Sequence, residues 1–265
     1  MTNLKDTCVM VTGASSGIGE ACARAFAREG ARLILVARRR ERLEELAADL
    51  GAPSLTVELD VRDRDAVNAA VAALPAAWRD IDVLVNNAGL SRGLDPLHQG
   101  DHVDWEEMID TNVKGLLWVS RAVLPGMASR DRGHVVNIGS IAGHEVYPNG
   151  NVYCATKAAV SALGHGMRID LKGTRVRVSN VDPGMVESEF SLVRFHGDQE
   201  RAAKVYRNFP PLQPADVADA VLYCVTRPAH VNISELVLWP TDQKTATINH
   251  PRGIEDAGRV MDPFL

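Results

Sequence analysis

Tyr153 and Lys157 stand four residues apart in a stretch, 151–171, whose pattern reads as a helix. Residues at that spacing share one helical face, so a phenol and an ammonium can point into the same cleft. An isolated tyrosine ionises near about 10 and is a poor proton donor or acceptor at neutral pH. A lysine held close favours the phenolate and moves the group toward the range in which it serves as a general acid or base. Tyr-x-x-x-Lys alone is a common pattern. Thirteen residues before Tyr153, however, Gly139-Ser140 ends an apolar run and sets a hydroxyl at a strand's carboxyl end, the edge at which open α/β sheets bind their ligands.

The rest of the chain must supply that sheet. Short runs rich in Val, Ile and Leu at 8–12, 32–37, 54–59, 83–86, 134–138, 175–181 and 235–239 alternate with helical stretches at 18–29, 39–50, 62–73, 105–127, 151–171 and 215–226. Continuous apolar runs of this kind fit parallel strands covered on both faces. In 39–50, Leu43, Leu46 and Leu50 recur at helical spacing and face the sheet. Strand–helix alternation predicts an α/β chain, a single-domain Rossmann fold over 1–265 with a seven-stranded parallel sheet and helices on both faces. Two segments break the rhythm. The stretch 187–211 is too long for a simple connection and reads as a substrate loop. The tail, 241–265, carries scattered Pro and Gly yet ends in Val260, Met261, Phe264 and Leu265, which favours docking over fraying.

Between the first strand and the first helix runs Thr12-Gly13-Ala14-Ser15-Ser16-Gly17-Ile18-Gly19. Glycines here let the backbone turn sharply and approach a pyrophosphate, and the helix N-terminus behind them offers N–H groups and partial positive charge. In this position the triplet predicts a dinucleotide site. The end of the second strand decides which dinucleotide. An acid there would meet a ribose 2′-hydroxyl, but Ala37 is followed by Arg38, Arg39 and Arg40. Cations at that place suit a 2′-phosphate, so NADP(H) is the expected cofactor.

Composition excludes other classes. Hydrophobic residues are 46 % and charged ones 24 %, with a net charge of −5 and no basic block, so a phosphate backbone is repelled and no nucleic-acid partner is expected. No apolar run approaches a membrane span, which leaves no membrane role. Cys8, Cys22, Cys154 and Cys224 are widely spaced and form no C-x-x-C pair. That argues against a metal site and a disulfide framework, and for a reducing cytoplasmic setting.

With Asp60-Val61 after the third strand, Asn86-Asn87-Ala88-Gly89 after the fourth, Asn112 in a long helix and Pro183-Gly184-Met185-Val186 after the sixth, the chain resembles the short-chain dehydrogenase/reductase family over 7 to about 240. The resemblance implies roles. Tyr153 exchanges the proton with the substrate oxygen, Lys157 lowers its pKa and holds the nicotinamide ribose, Ser140 steadies the reacting oxygen, and Asn112 holds a water linking Lys157 to solvent. Gly13, Ser15, Ser16, Gly17, Ile18 and Gly19 would cradle the phosphates, with Arg38 and Arg39 at the 2′-phosphate. Asp60 would meet the adenine, Val61, Asn87, Ala88, Gly89, Pro183 and Gly184 would line the cofactor cleft, and Val186 would contact the carboxamide through its backbone. Members of the family are usually tetramers or dimers. A catalytically silent scaffold or sensor would be expected to lack one of Ser140, Tyr153 and Lys157, and all are present. Sugar-nucleotide epimerases share Tyr-x-x-x-Lys but are longer and space their first glycines differently.

Longer runs, among them Trp105–Asn112 and Val193-Arg194-Phe195, are similar to NADP-dependent 3-hydroxy acid dehydrogenases acting on serine and allo-threonine, and to sulfoacetaldehyde reductases, which make isethionate. The hydroxy-acid enzymes carry an extra glycine before the residue matching Phe190 that this chain lacks. Both substrate types are short carbonyl compounds with an anionic end, and an anion calls for a cation. Arg194 in the 187–211 segment is the candidate, assisted by Tyr147 and His144. Glu145-Val146 departs from the aromatic and proline usual in the similar enzymes, and an acid at 145 would either repel an anion or face water.

Overall fold

The computed structural model describes residues 3–206 and 209–249. Seven parallel strands, β1 Cys8–Thr12, β2 Arg32–Ala37, β3 Ser54–Glu58, β4 Val83–Asn86, β5 His134–Ile138, β6 Arg177–Pro183 and β7 Glu235–Leu238, form one sheet in the order β3-β2-β1-β4-β5-β6-β7. Strand order reverses between β1 and β4, and the crevice outside their carboxyl ends is where such a sheet takes a ligand.

Alternation along β1 explains the two-sided core. Val9 and Val11 join Leu33, Leu35, Val85 and Val136 on one face, under α1 (Gly17–Arg28), α2 (Arg40–Asp49) and the later helix that supplies Val217 and Val221. Cys8 and Met10 join Ile34, Val36, Leu84 and Val135 on the other, under α3 (Arg64–Ala72) and the helix that carries Val119, Val123 and Met127. Period-two alternation with both faces covered is what parallel strands require.

Three departures from the expected elements bear on the site. The helix expected over 105–127 is two helices, α4 (His102–Ile109) and α5 (Leu116–Ser129), joined by a π-helical segment over Asp110–Gly115 that contains Asn112. An i→i+5 insertion does not alter the apolar pattern enough to be read from it, and such segments are frequent at functional sites. Strand β6 starts two residues later than expected, because Asp131 accepts from both the amide (2.6 Å) and Nε (2.7 Å) of Arg175 and draws it from the ladder. After α6 (Asn151–Asp170), the segment 187–211 folds into α7 (Phe190–Arg194) and α8 (Gln199–Lys204), and is closed at its base by mutual hydrogen bonds of Met185 and Glu187 with Leu212, before α9 (Pro214–Thr226) begins.

The first part of the tail docks. Gln243 is buried, and Ala246 lies against Tyr153 and Tyr147 in one apolar cluster. Val260, Met261, Phe264 and Leu265 lie outside the described residues. No helix among the described residues is long and apolar enough to cross a membrane.

Candidate active site

A cavity of about 370 Å³ opens at the carboxyl edge of the sheet and runs from the β1–α1 turn to the 187–211 segment. At its first end Gly13 and Gly17 have φ of +67° and +55°, a left-handed backbone that side chains disfavour. Gly19 is buried in α1, and a Cβ there would collide with the Gly13 carbonyl, so this third glycine lets helix and turn close together. Thr12 stitches the crevice shut beneath them: its hydroxyl donates to Val85 O and accepts from the amides of Asn87 and Ala88, both at 3.0 Å. Asn87 Nδ2 donates to Thr12 O and Gly13 O.

The N-terminus of α1 has no side-chain cap, whereas Asp63 and Asp101 cap α3 and α4. Its free N–H groups face the turn lined by Ser15, Ser16, Gly17 and Ile18, as a phosphate cradle requires. Arg38 and Arg39 line the same end. Arg39 donates to the hydroxyls of Ser15 (3.0 Å) and Ser16 (2.7 Å) and to Glu189 Oε2 at 3.0 Å. Arg40 points elsewhere and pairs with Glu44. These residues therefore fit a 2′-phosphorylated dinucleotide, with two cations rather than an acid past β2.

Asp60 and Val61 line the same half of the cleft. Burial works against ionisation of Asp60, but hydrogen bonds and charge from Arg62 outweigh it and hold the carboxyl below its ordinary value. At the far wall are Ala88, Gly89, Pro183, Gly184 and Val186. A Cβ on Gly184 would meet Gln243 Oε1 at 2.5 Å, and Val186 O accepts from the Tyr206 hydroxyl.

At the chemical end Ser140 follows β5 in extended backbone and caps a short 3-10 turn, Ile141–Gly143, through Ala142 N. Gly143 packs against the Lys157 backbone, leaving no room for a Cβ. That contact brings the Ser140 loop onto α6, and Ser140 and Tyr153 line the same end of the cleft. Tyr153 is 8 % exposed and meets Phe190 edge-on at 5.6 Å between ring centroids.

The electrostatics depart from expectation. Tyr153 is pushed above its ordinary value, by burial first and then by Tyr147. The leading opposing influence is the Arg194 charge, followed by the Ser140 hydrogen bond. Lys157 Nζ is directed to Ile138 O at 2.9 Å and lies 5.9 Å from the Tyr153 ring centre. Burial pushes Lys157 itself down to about 8, opposed by the charge of Asp182.

Asn112 stands behind the cleft wall. Its Oδ1 accepts from Leu90 N and its Nδ2 donates to Leu90 O, both at 2.8 Å, and also to Thr156 at 3.1 Å. The π-helical segment thus clamps the strand-β4 exit to α6.

Arg194 is 6 % exposed and lines the cleft. It donates to the Tyr147 hydroxyl at 3.0 Å, and its guanidinium carbon lies 5.3 Å from the centre of Tyr153 and 5.2 Å from that of Phe190. Tyr147, itself buried, is raised chiefly by burial. His144 is not part of this group. The 3-10 turn carries it toward β6, where Nε2 shares a hydrogen bond with Asp182 Oδ2 at 2.9 Å, and it lines no part of the cleft. Asp182 is raised by its burial, against the His144 contact. Glu145 lines no part of the cleft, and its carboxylate accepts from Ala246 N at 2.8 Å.

Sequence reasoning missed Phe190, Glu189, Gln243 and Ala246, all of which line the cleft. The four-residue spacing from Phe190 to Arg194 was an available helical signal, whereas Gln243 and Ala246 carry none. Also missed is a ladder beneath the site. Asn86, Asn137 and Asn180 sit opposite one another on β4, β5 and β6, and each side chain donates to the next at 3.0 and 3.1 Å.

A nucleotide-accepting turn, a buried Tyr–Ser pair and a lysine at one sheet edge define a dehydrogenase of the doubly wound class. The family profile described as short chain dehydrogenase matches residues 7–197, and the chain belongs to that family. Among its relatives, the NADP-dependent 3-hydroxy acid dehydrogenase YdfG of Salmonella typhi is 52 % identical over 242 residues, 91 % of this chain and 98 % of that protein. Sulfoacetaldehyde reductase 2 of Chromohalobacter salexigens is 49 % identical over 238 residues, 89 % of this chain and 94 % of that one. A solved structure, the closed form of serine dehydrogenase complexed with NADP+, superposes with a TM-score of 0.89 at 50 % identity, covering 92 % of this chain and 99 % of the other.

Proposed function

We propose that this protein is an NADP-dependent oxidoreductase that interconverts a short 3-hydroxy acid and its semialdehyde. The observation that carries the substrate class is Arg194, a buried guanidinium that lines the cleft beside Tyr147 and over Tyr153. A cation desolvated there favours an anion, and its planar fork suits a carboxylate. The relatives named as 3-hydroxy acid dehydrogenase and serine dehydrogenase support this reading.

When bound, the nicotinamide supplies or accepts the hydride. The turn at Gly13–Ile18 would hold the phosphates, with Arg38 and Arg39 at the 2′-phosphate and Asp60 at the adenine. Ser140 would donate to the substrate oxygen, where charge develops. Tyr153 Oη would give that oxygen its proton in reduction and take it back in oxidation. Burial, which keeps the phenol protonated, suits the reductive direction. Charge neutralisation at Arg194 by the substrate anion removes the main opposing charge and reinforces this. Lys157 would hold the ribose, and Asn112 fixes the backbone beside it.

Sulfoacetaldehyde reduction is the second reading. Phe190 follows Gly184 by six positions, without the glycine insertion of the hydroxy-acid enzymes, and a sulfonate presents the same charge to Arg194. We infer further that the chain acts in a reducing cytoplasm, its four described thiols being free and buried. It would assemble as a dimer or tetramer through α4, α5 and α6, on which Ile109 and Ile169 stay exposed.

The test is consumption of NADPH, followed by absorbance, with malonic semialdehyde, sulfoacetaldehyde and an uncharged aldehyde, in the parent chain and in Arg194→Met. Loss of a charge-assisted contact should raise KM for the acidic aldehydes about tenfold or more and leave the uncharged one within about twofold. Unchanged kinetics for the acidic aldehydes would overturn the anion reading. Faster turnover of sulfoacetaldehyde than of malonic semialdehyde would select the second.

A further inference from the structure

Arg194 sits on a five-residue helix, α7, too short to hold a guanidinium in place by itself. Its backbone is held instead from the segment after β4. Arg92 Nη1 donates to Val193 O at 2.6 Å, and the neighbouring Gly93 amide donates to Arg194 O at 3.1 Å. Two consecutive carbonyls of the helix are therefore gripped from one place. Arg92 is itself locked: Nε meets Glu107 Oε2 at 2.7 Å and Nη2 meets Oε1 at 3.4 Å, with the two side chains only 20 % and 18 % exposed. Glu107 belongs to α4, and its carboxyl is held below the ordinary range chiefly by Arg92. Behind it Arg62 approaches Glu107 at 3.7 Å and grips Asp60 through Nε and Nη2. A continuous line of charge thus runs from Asp60 to the carbonyl of Val193.

Arg92 does not line the cleft, so it has no direct access to a substrate held there. A charged donor on a neutral carbonyl is a strong contact when shielded from water. A two-point contact between a guanidinium and a carboxylate is sensitive to small displacements of either partner. We propose that Arg92, oriented by Glu107, is a positioning residue that sets the place of Arg194 and through it the preference for anionic substrates. This rests on the reading of Arg194 given above.

The experiment compares Arg92→Gln, Arg92→Lys and Glu107→Gln with Arg194→Met in the full chain. For each, kcat and KM are measured for malonic semialdehyde and for an uncharged aldehyde, together with the Kd for NADPH. Arg92→Gln should raise KM for the acidic aldehyde on the order of tenfold, with kcat and NADPH affinity within about twofold and the uncharged aldehyde unaffected. Glu107→Gln should shift KM in the same direction by less, Arg92→Lys should recover part of the loss, and the Arg92→Gln/Glu107→Gln pair should be no worse than Arg92→Gln, as for residues acting as one unit. Equal losses for both aldehydes, or no change, in both Arg92→Gln and Glu107→Gln would overturn the proposal, provided Arg194→Met still discriminates. If Arg194→Met does not discriminate, the anion reading itself falls.

Discussion

Lys157 offers a way to measure how dry the site is. The residue is 7 % exposed and its ammonium is pushed from 10.5 down to about 8, by loss of solvation first, with Asp182 pulling the other way. Because the folded value lies below the unfolded one, the unfolded chain binds more protons between those two values, and stability must rise with pH across that window. The charged form therefore costs the fold roughly 3 kcal/mol near neutrality, most of it relieved by about pH 10. Other buried groups titrate nearby. Cys22 is raised to about 12 and Tyr153 upward, both by burial, and these lower stability as pH rises. They are common to the parent chain and to Lys157→Met, so the difference between the two isolates the lysine. Urea unfolding of both proteins at about pH 7 and about pH 10 should show the parent gaining roughly 2–3 kcal/mol relative to the variant. A difference that stays flat with pH would mean that Lys157 keeps its ordinary basicity, and the argument from desolvation would be refuted.

Three further substitutions test the cofactor end. Arg39→Ala should lower the NADPH-to-NADH ratio of kcat/KM about tenfold, the lower part of the range for a charge-assisted contact because the side chain is 43 % exposed. Arg40→Ala, whose side chain is paired with Glu44, should leave the ratio unchanged. Gly19→Ala forces a Cβ against the Gly13 carbonyl and Asn87 Nδ2, so thermal melting should show a destabilisation of about 1–3 kcal/mol, and titration should show weaker NADPH binding.

Much of the sheet was legible because it is buried on both faces. Strands β1, β2, β4 and β5 begin and end where their apolar runs do. The failures have local causes. Arg175 reads as strand but is held by a carboxylate 44 positions away. The π-helical insertion at Asn112 leaves the apolar spacing nearly intact, so the helix pattern runs through it. In the site, Tyr153, Lys157, Ser140 and the glycine turn declare themselves by residue type and order. Direction is not written in that order: His144 and Tyr147 are three residues apart, yet one meets Asp182 on β6 and the other meets Arg194. The expected influence of Lys157 on Tyr153 was also a matter of direction, since the ammonium is aimed at Ile138 O. Contacts such as Arg92 with Val193 O span 101 positions and leave no periodic trace.

The docking of Gln243 and Ala246 has a consequence for how such an enzyme changes its diet. Part of the cleft wall near Tyr153 is built from chain beyond β7, anchored by hydrogen bonds to Met185 N and Glu145. Replacing a few residues after β7 reshapes the cleft wall while every strand, the glycine turn, Ser140, Tyr153 and Lys157 stay as they are. That part of the cleft is in this sense hung on the outside of the fold, open to revision without rebuilding what it encloses.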